Sequence, residues 1–250
     1  MTQISVKATT SVVTFSNRWD HFLARWRVNR SGHRIDAGLY SLGSPTGDSP
    51  VFVTANYTLS FDALRSALRG VDGYILVLDT NGINVWCAAG KGTFGTGELV
   101  NRIGVTHLDG VVRHRKLLLP QLGASGVAAH EVKKHSGFRV EYGPVRAVDL
   151  PEYLNAGKAT PEMRRIRFDL PDRIALIPVE LVGVLLPMLV LAVVLYFLAG
   201  GLWASVGVVS AILAGVILFP VLLPWLPTRD FSTKGFILGA VVALILFLVK

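Results

Sequence analysis

Two long apolar segments near the C-terminus constrain this chain more than anything else in it. Residues 174–198 are interrupted by one charge, Glu180 near the start, and residues 202–226 carry none. A helix needs about 20 apolar residues to cross a hydrocarbon core about 30 Å thick, and both segments have them. Two in succession exclude an ordinary soluble protein and predict a transmembrane helical domain over 174–250. A third run, 235–249, closes on Lys250. At about 1.5 Å of rise per residue it reads as short of a full span, which predicts a membrane part that continues beyond 250.

Basic residues suggest an orientation. Arg164, Arg165, Arg167 and Arg173 crowd the entry to the first segment, the Gly200-Gly201 turn is uncharged, and Arg229 and Lys234 follow the second segment. The positive-inside rule then predicts a multi-pass protein of the cytoplasmic membrane with its N-terminal domain in the cytoplasm. Residues 161–173 become a basic juxtamembrane linker facing anionic membrane lipid. The first thirty residues are polar, with Arg18, Arg25, Arg27 and Arg30 and no apolar core, so no signal peptide is expected. The formal net charge of +8 is explained by this topology, and with no nucleic-acid-binding motif beside it, no nucleic-acid partner is expected.

Ahead of the membrane part, residues 1–48 read as a mixed N-terminal lead ending in a Gly/Ser/Pro/Asp loop over 43–50. Residues 49–160 are more regular. A buried strand is expected over 51–54, a helix over 61–69 capped by Ser60, and a second strand over 74–78. A turn over 79–82 leads to a strand-like 83–86 and a helix over 96–103. Strand 117–119, helix 127–135, strand 138–142 and a short helix from Pro151 complete the pattern. Alternating strands and helices predict an α/β fold with a parallel sheet and helices on both faces. Ligands bind such folds at the carboxyl ends of the strands. Three loops fall there: Ala55-Asn56-Tyr57-Thr58, the segment 87–97, and Gln121-Leu122-Gly123-Ala124-Ser125-Gly126.

The second of these loops carries Cys87, the single cysteine of the chain. One thiol makes no intramolecular disulfide and cannot by itself build a zinc or iron–sulfur site. Cys87 is therefore an inert small hydrophobe, a nucleophile, or a lone axial ligand to a metal that brings its other ligands with it. Gly90-Lys91-Gly92-Thr93-Phe94-Gly95 matches the G-x-G-x-x-G spacing of dinucleotide-binding turns, which keeps a nucleotide-dependent membrane oxidoreductase open as an alternative. No acidic residue closes a following strand at the expected distance. The same glycines also let a backbone approach a flat, bulky ligand. His107-Leu108-Asp109-Gly110 fits the H-x-x-G core of cobalt-ligating histidine loops, but Val105 stands where an orienting carboxylate belongs. His107 is expected to be a loop residue.

The string Asn84-Val85-Trp86-Cys87-Ala88-Ala89-Gly90-Lys91-Gly92 resembles the signature of the HgcA family, membrane-anchored corrinoid proteins of microbial mercury methylation. Val53-Thr54-Ala55-Asn56-Tyr57 before it and 119–132 after it extend the resemblance. The domain is also similar to the large subunit of the corrinoid iron–sulfur protein. Ser125 departs from the proline of the family loop. The resemblance implies a Rossmann-like corrinoid-binding domain with cobalamin as cofactor and the Cys87 thiolate as the lower axial ligand of cobalt. It implies methyl transfer to Hg(II), forming methylmercury, because a strongly donating thiolate favours departure of the methyl as a carbanion equivalent; a membrane-anchored corrinoid methyl carrier with another acceptor is the alternative. The implied partners are an HgcB-type ferredoxin with 4Fe–4S clusters and a methyltetrahydrofolate-linked methyl donor. Implied cofactor contacts are Thr54, Asn56 and Tyr57, then Asn84, Val85, Trp86, Cys87, Ala88, Ala89, Gly90, Lys91, Gly92 and Gly95. Gln121, Gly123, Ala124, Ser125 and Gly126 complete them.

Overall fold

The computed structural model describes residues 5–29, 32–199 and 201–250. Arg30 and Gly200, both used above, lie outside the described residues. The chain divides into two compact units, Met1–Phe22 with Asn29–Ile166, and Leu23–Val28 with Arg167–Lys250.

The first unit is built on six strands: β1 (Val6–Thr9), β2 (Gly38–Leu42), β3 (Val51–Ala55), β4 (Gly73–Leu78), β5 (Lys116–Leu119) and β6 (Arg139–Tyr142). They lie in the order β1-β2-β4-β3-β5-β6. All neighbours are parallel except β2 and β4, which pair antiparallel. The sheet is thus mostly parallel rather than wholly so. The stretch expected to be a lead supplies β1, β2 and the helix between them, α1 (Phe15–Arg25). The helices wholly within this unit are α2 (Thr58–Ala67), α3 (Val85–Lys91), α4 (Thr96–Val105), α5 (Leu108–Val111), α6 (Ala129–Ser136) and α7 (Leu150–Ala156).

Every residue of β3 and β4 is buried, as central strands covered on both faces require. Their alternate side chains feed two cores. Val51, Val53, Leu76 and Leu78 pack with Ala88, Phe94, Leu99 and Val132 from the α3–α6 side. Phe52, Ile75 and Val77 pack with Phe61 and Leu64 of α2, its C-cap Leu68, and Leu150 and Tyr153 of α7. Each fully buried side chain of this size contributes about 1.5–3 kcal/mol. From β3 the chain moves to β4 on one side, then crosses to β5 on the other. The carboxyl edge between β3 and β5 is therefore the switch point at which such sheets open a crevice.

Two local expectations are corrected. Helix α2 begins at Thr58, with Tyr57 as its N-cap and no side-chain cap bond, not at a Ser60 cap. Residues 83–86 are not a strand: Asn84 caps a helix that begins at Val85.

The second unit contains α8 (Leu170–Ile174), α9 (Ile177–Leu198), α10 (Leu202–Leu213), α11 (Phe219–Leu222) and α12 (Phe231–Val249). Among the described residues, three helical stretches are long and apolar enough to cross a membrane: Leu170–Leu198 (α8 and α9), Leu202–Leu222 (α10 to α11) and Phe231–Val249 (α12). The third corrects the short reading of 235–249. Asp230 caps α12 by accepting from the Thr233 N–H at 2.7 Å, so the helix starts a turn early and reaches 19 residues. The Thr233 hydroxyl, and after it this backbone bond, hold the exposed Asp230 carboxyl below the usual carboxylate range. Ser205 donates to the Ala192 carbonyl at 2.7 Å, tying α10 to α9. A π-helical turn, Ala214–Leu218, precedes Pro220, whose missing N–H cannot continue the α ladder.

Candidate functional site

The thiol owes its position to a cap and a buried turn. Asn84 is extended, and its side chain accepts from the Cys87 N–H at 2.9 Å, which makes Cys87 the third residue of α3. Val85, Ala88 and Ala89 face inward and are buried, while Trp86, Cys87, Gly90 and Lys91 face out. Gly92 ends the helix in the left-handed conformation (φ 82°), as C-terminal glycines do. Cys87 is free and exposed. Trp86 beside it is 60% exposed, unusual for the largest apolar side chain. Gly90 lies one turn beyond Cys87, and a Cβ built there would meet nothing within 4 Å. The outer face of α3 therefore combines a thiol, a bare indole and a stretch of uncovered backbone.

The turn before α3 is organised by Asn56, which is buried at the end of β3. Its Oδ1 accepts from the Thr80 N–H (3.0 Å), the Thr80 hydroxyl (2.9 Å) and the Gly82 N–H (3.0 Å). Its Nδ2 donates to Asp79 Oδ1 at 3.0 Å. Glu98 of α4 accepts from the Asp79 N–H at 2.9 Å. Thr80 and Glu98 were not singled out from the sequence, although a polar pair around an Asp-x-Asn-Gly turn is the available signal.

The loop after β5 supports α3 from beneath. A Cβ on Gly126 would lie 2.2 Å from the Phe94 carbonyl oxygen and 2.9 Å from Ala89 Cα. On Gly123 it would meet the Phe94 ring at 2.6 Å, and on Gly95 the Gly92 carbonyl oxygen at 2.6 Å. Packing against backbone explains Gly95 and Gly126, and packing against the Phe94 ring explains Gly123; Phe94 is fully buried between them. Thr96 Oγ1 accepts from the Ala128 N–H at 2.8 Å, and the Tyr142 hydroxyl donates to the Val127 carbonyl at 2.5 Å. Burial pushes the Tyr142 phenol up, which keeps it a neutral donor. Gln121 Oε1 accepts from Arg164 Nη1, Ser125 is exposed, and Ala124 is half-buried.

The structure thus brings residues 84–95 and 121–126 together. Thr54 is separate: with Phe52 it faces the α2 side and lines a cavity of about 160 Å³ with Leu119, Pro120, Pro144 and Val145. Tyr57 stands at the start of α2, bridged by backbone to Arg34. His107 has φ 48° and is exposed on the loop into α5. Among the described residues, no group of three or more His, Cys, Asp or Glu side chains is placed to hold a metal ion. A dinucleotide turn must join a strand to a helix. Gly90–Gly95 instead joins α3 to α4, so the spacing is present without its fold context.

Fold and site define an α/β domain of mostly parallel strands that carries one exposed thiol, on a capped helix at the carboxyl edge of its sheet. The chain belongs to the family described as CdhD, CO dehydrogenase/acetyl-CoA synthase delta subunit, whose model matches residues 27–154. The gamma subunit of the acetyl-CoA decarbonylase/synthase complex of Methanopyrus kandleri is 34% identical over 128 residues, covering 50% of this chain and 27% of that protein. The Archaeoglobus fulgidus gamma subunit is 31% identical over 118 residues (46% and 25%). The corrinoid/iron-sulfur protein large subunit of Moorella thermoacetica is 26% identical over 145 residues (55% and 32%). The chain therefore spans less than a third of the length of these relatives.

Proposed function

We propose that this chain is an HgcA-type, membrane-anchored corrinoid protein that transfers a methyl group to Hg(II), with the Cys87 thiolate as lower axial ligand. One observation carries the reading: a solitary thiol is exposed beside uncovered backbone, in a domain similar to part of a corrinoid/iron-sulfur protein. A lone thiol suits a cofactor whose macrocycle supplies the metal's remaining ring ligands. The outer face of α3 suits its bulk, because Gly90 presents no side chain there.

When bound, a corrinoid supplies a redox-active cobalt that accepts a methyl group and hands it on. The chain's own part is placement and electronic tuning. Asn84 fixes the first turn of α3 and with it the Cys87 side chain. Cys87 offers a soft, strongly donating sulfur. Trp86 presents an apolar face next to the thiol, and Gly90 leaves room for a planar group. Ser125 and Gln121 rim the same edge as contacts to the cofactor's periphery. A 4Fe–4S ferredoxin of the HgcB type is the reductant that fits, and a methyltetrahydrofolate-linked protein the methyl source. The N-terminal domain faces the cytoplasm in this reading, as the arginines before the first membrane helix support.

The test is cobalt content and the visible spectrum of the detergent-purified chain reconstituted with cobalamin, beside Cys87→Ala. Stoichiometric cobalt in the parent, with a spectrum altered by loss of the thiol, is expected. Identical spectra in the two proteins would refute axial ligation. Methylmercury formation by the reconstituted chain, lost in Cys87→Ala, separates Hg(II) from another methyl acceptor.

A further inference from the structure

Helix α1 is turned the wrong way round for a soluble domain. Thr14 caps it: the Thr14 N–H donates to Asn17 Oδ1 at 2.9 Å and the Asn17 N–H to Thr14 Oγ1 at 3.3 Å. It ends in a Schellman motif, with Arg27 N–H donating to the Ala24 carbonyl, Val28 N–H to the Leu23 carbonyl, and φ 58° at Arg27. Its inward face is polar. Asn17 accepts from Arg65 Nη2 at 3.1 Å. Asp20 accepts from the Thr58 hydroxyl at 2.7 Å and pairs with His33 Nδ1 at 2.7 Å. His21 Nε2 lies 2.8 Å from Asp62 Oδ2, which also receives Arg65 through its other oxygen at 2.6 Å.

The outward face is aromatic. Phe15, Trp19 and Phe22 on α1, and Trp26 just past its end, follow one another at spacings of four, three and four, one stripe at helical period. They are 82%, 53%, 47% and 37% exposed. The Trp19 and Phe22 rings stack at 5.3 Å. Arg18 and Arg25 stand beside the stripe by helical position. A surface helix ordinarily buries such a stripe and shows its polar side to water; here the polar side is held by part-buried hydrogen bonds and the stripe is exposed.

We propose that the aromatic stripe of α1 lies in the headgroup–acyl boundary of the bilayer crossed by the C-terminal helices, giving the N-terminal part of the chain a second, interfacial membrane contact. Tryptophan with flanking arginine is the composition of interfacial helices: the ring sits at the headgroup level and the cation meets anionic lipid. Eleven residues make a helix about 16 Å long, too short to span and suited to lying flat. Leu23–Val28 belong to the second unit. Within it, the Arg27 guanidinium is so close to Gly183 of α9 that a Cβ there would meet Nη1 at 2.6 Å.

The full chain, with Cys87→Ala as background, is reconstituted into phosphatidylcholine–phosphatidylglycerol vesicles and nitroxide-labelled at Phe15→Cys, Trp19→Cys or His130→Cys. The last is an exposed site on α6. Collision with oxygen relative to a water-soluble nickel chelate should be several-fold higher at 15 and 19 than at 130. Equal ratios at the three sites would overturn the proposal. So would labels at 15 and 19 shielded from both quenchers whose spin–spin broadening disappears on dilution with unlabelled protein, since a second copy would then cover the stripe. In the unsubstituted chain, a diazirine-bearing phospholipid should label the peptide over 15–25 as well as the spans; labelling confined to the spans would also overturn it. Neither readout involves the thiol or a cofactor.

Discussion

Replacing Gly90 by alanine should make the protein more stable and worse at holding its ligand. Gly90 is the sixth of seven residues in α3, and a Cβ there meets nothing within 4 Å, so the methyl costs the folded protein no packing. Glycine in a helix is destabilising by about 0.5–1 kcal/mol relative to alanine, because more backbone freedom is lost on folding. With RT of about 0.6 kcal/mol, that corresponds to about a two- to fivefold shift toward the closed form of α3. The methyl would project from the face that bears the exposed thiol one turn earlier. Hydrogen exchange of the peptide over 84–92 in the cofactor-free protein should slow by about that factor. Cobalamin retention by the same preparation should fall, because the methyl occupies the space the macrocycle needs. Slower exchange with unchanged retention would refute the claim that the uncovered backbone admits the ligand. Faster exchange would refute the packing argument itself.

Asn84→Ala removes the side-chain cap and should cost α3 about 1 kcal/mol; Asn84→Asp should restore most of it, as hydrogen exchange over 84–92 would report. Gly126→Ala forces a Cβ into the Phe94 carbonyl and Ala89. The overpacking should cost about 1–3 kcal/mol and displace α3, read as a lower denaturation midpoint together with lost cobalamin. Asn56→Ala leaves the Thr80 and Gly82 N–H groups without their acceptor. At about 1–3 kcal/mol for the buried Thr80 donor alone, with the part-buried Gly82 N–H adding to it, it should be among the most damaging substitutions in the domain. Its midpoint should fall even without ligand; a midpoint unchanged without ligand would return Asn56 to the role of a ligand contact.

What the sequence declared most openly is what depends on runs. The strands β3 and β4 are short, mostly apolar stretches between turn residues, and the helices long enough to cross a membrane are longer versions of the same signal. Helix α4 announced itself by its spacing. Helix α3 did not, because Ile83, Val85 and Trp86 are β-formers by propensity, and the deciding interaction is one amide oxygen reaching a backbone N–H three residues on. Asn56 and Gly126 sat in the expected loops, yet their surroundings are supplied by residues dozens of positions away, which no local pattern records. Strands β1 and β2 are short, β1 is half-exposed, and β2 runs antiparallel to a partner more than thirty residues downstream. In α1 the aromatics are diluted by arginine, asparagine and histidine, so the average is polar and only the period gives the stripe away.

The thiol's address is written mostly in main-chain atoms. Gly126 touches the Phe94 carbonyl and Ala89 Cα, Gly123 seats the Phe94 ring, and Gly92 closes the helix, so α3 and the loop after β5 interlock with almost no side chain to exchange. Transplanting the cysteine motif into another α/β scaffold would therefore fail if only residues 84–95 were carried across. The recipient would need the 120–128 loop as well, in the same register with its strand, before the sulfur could stand where it stands here.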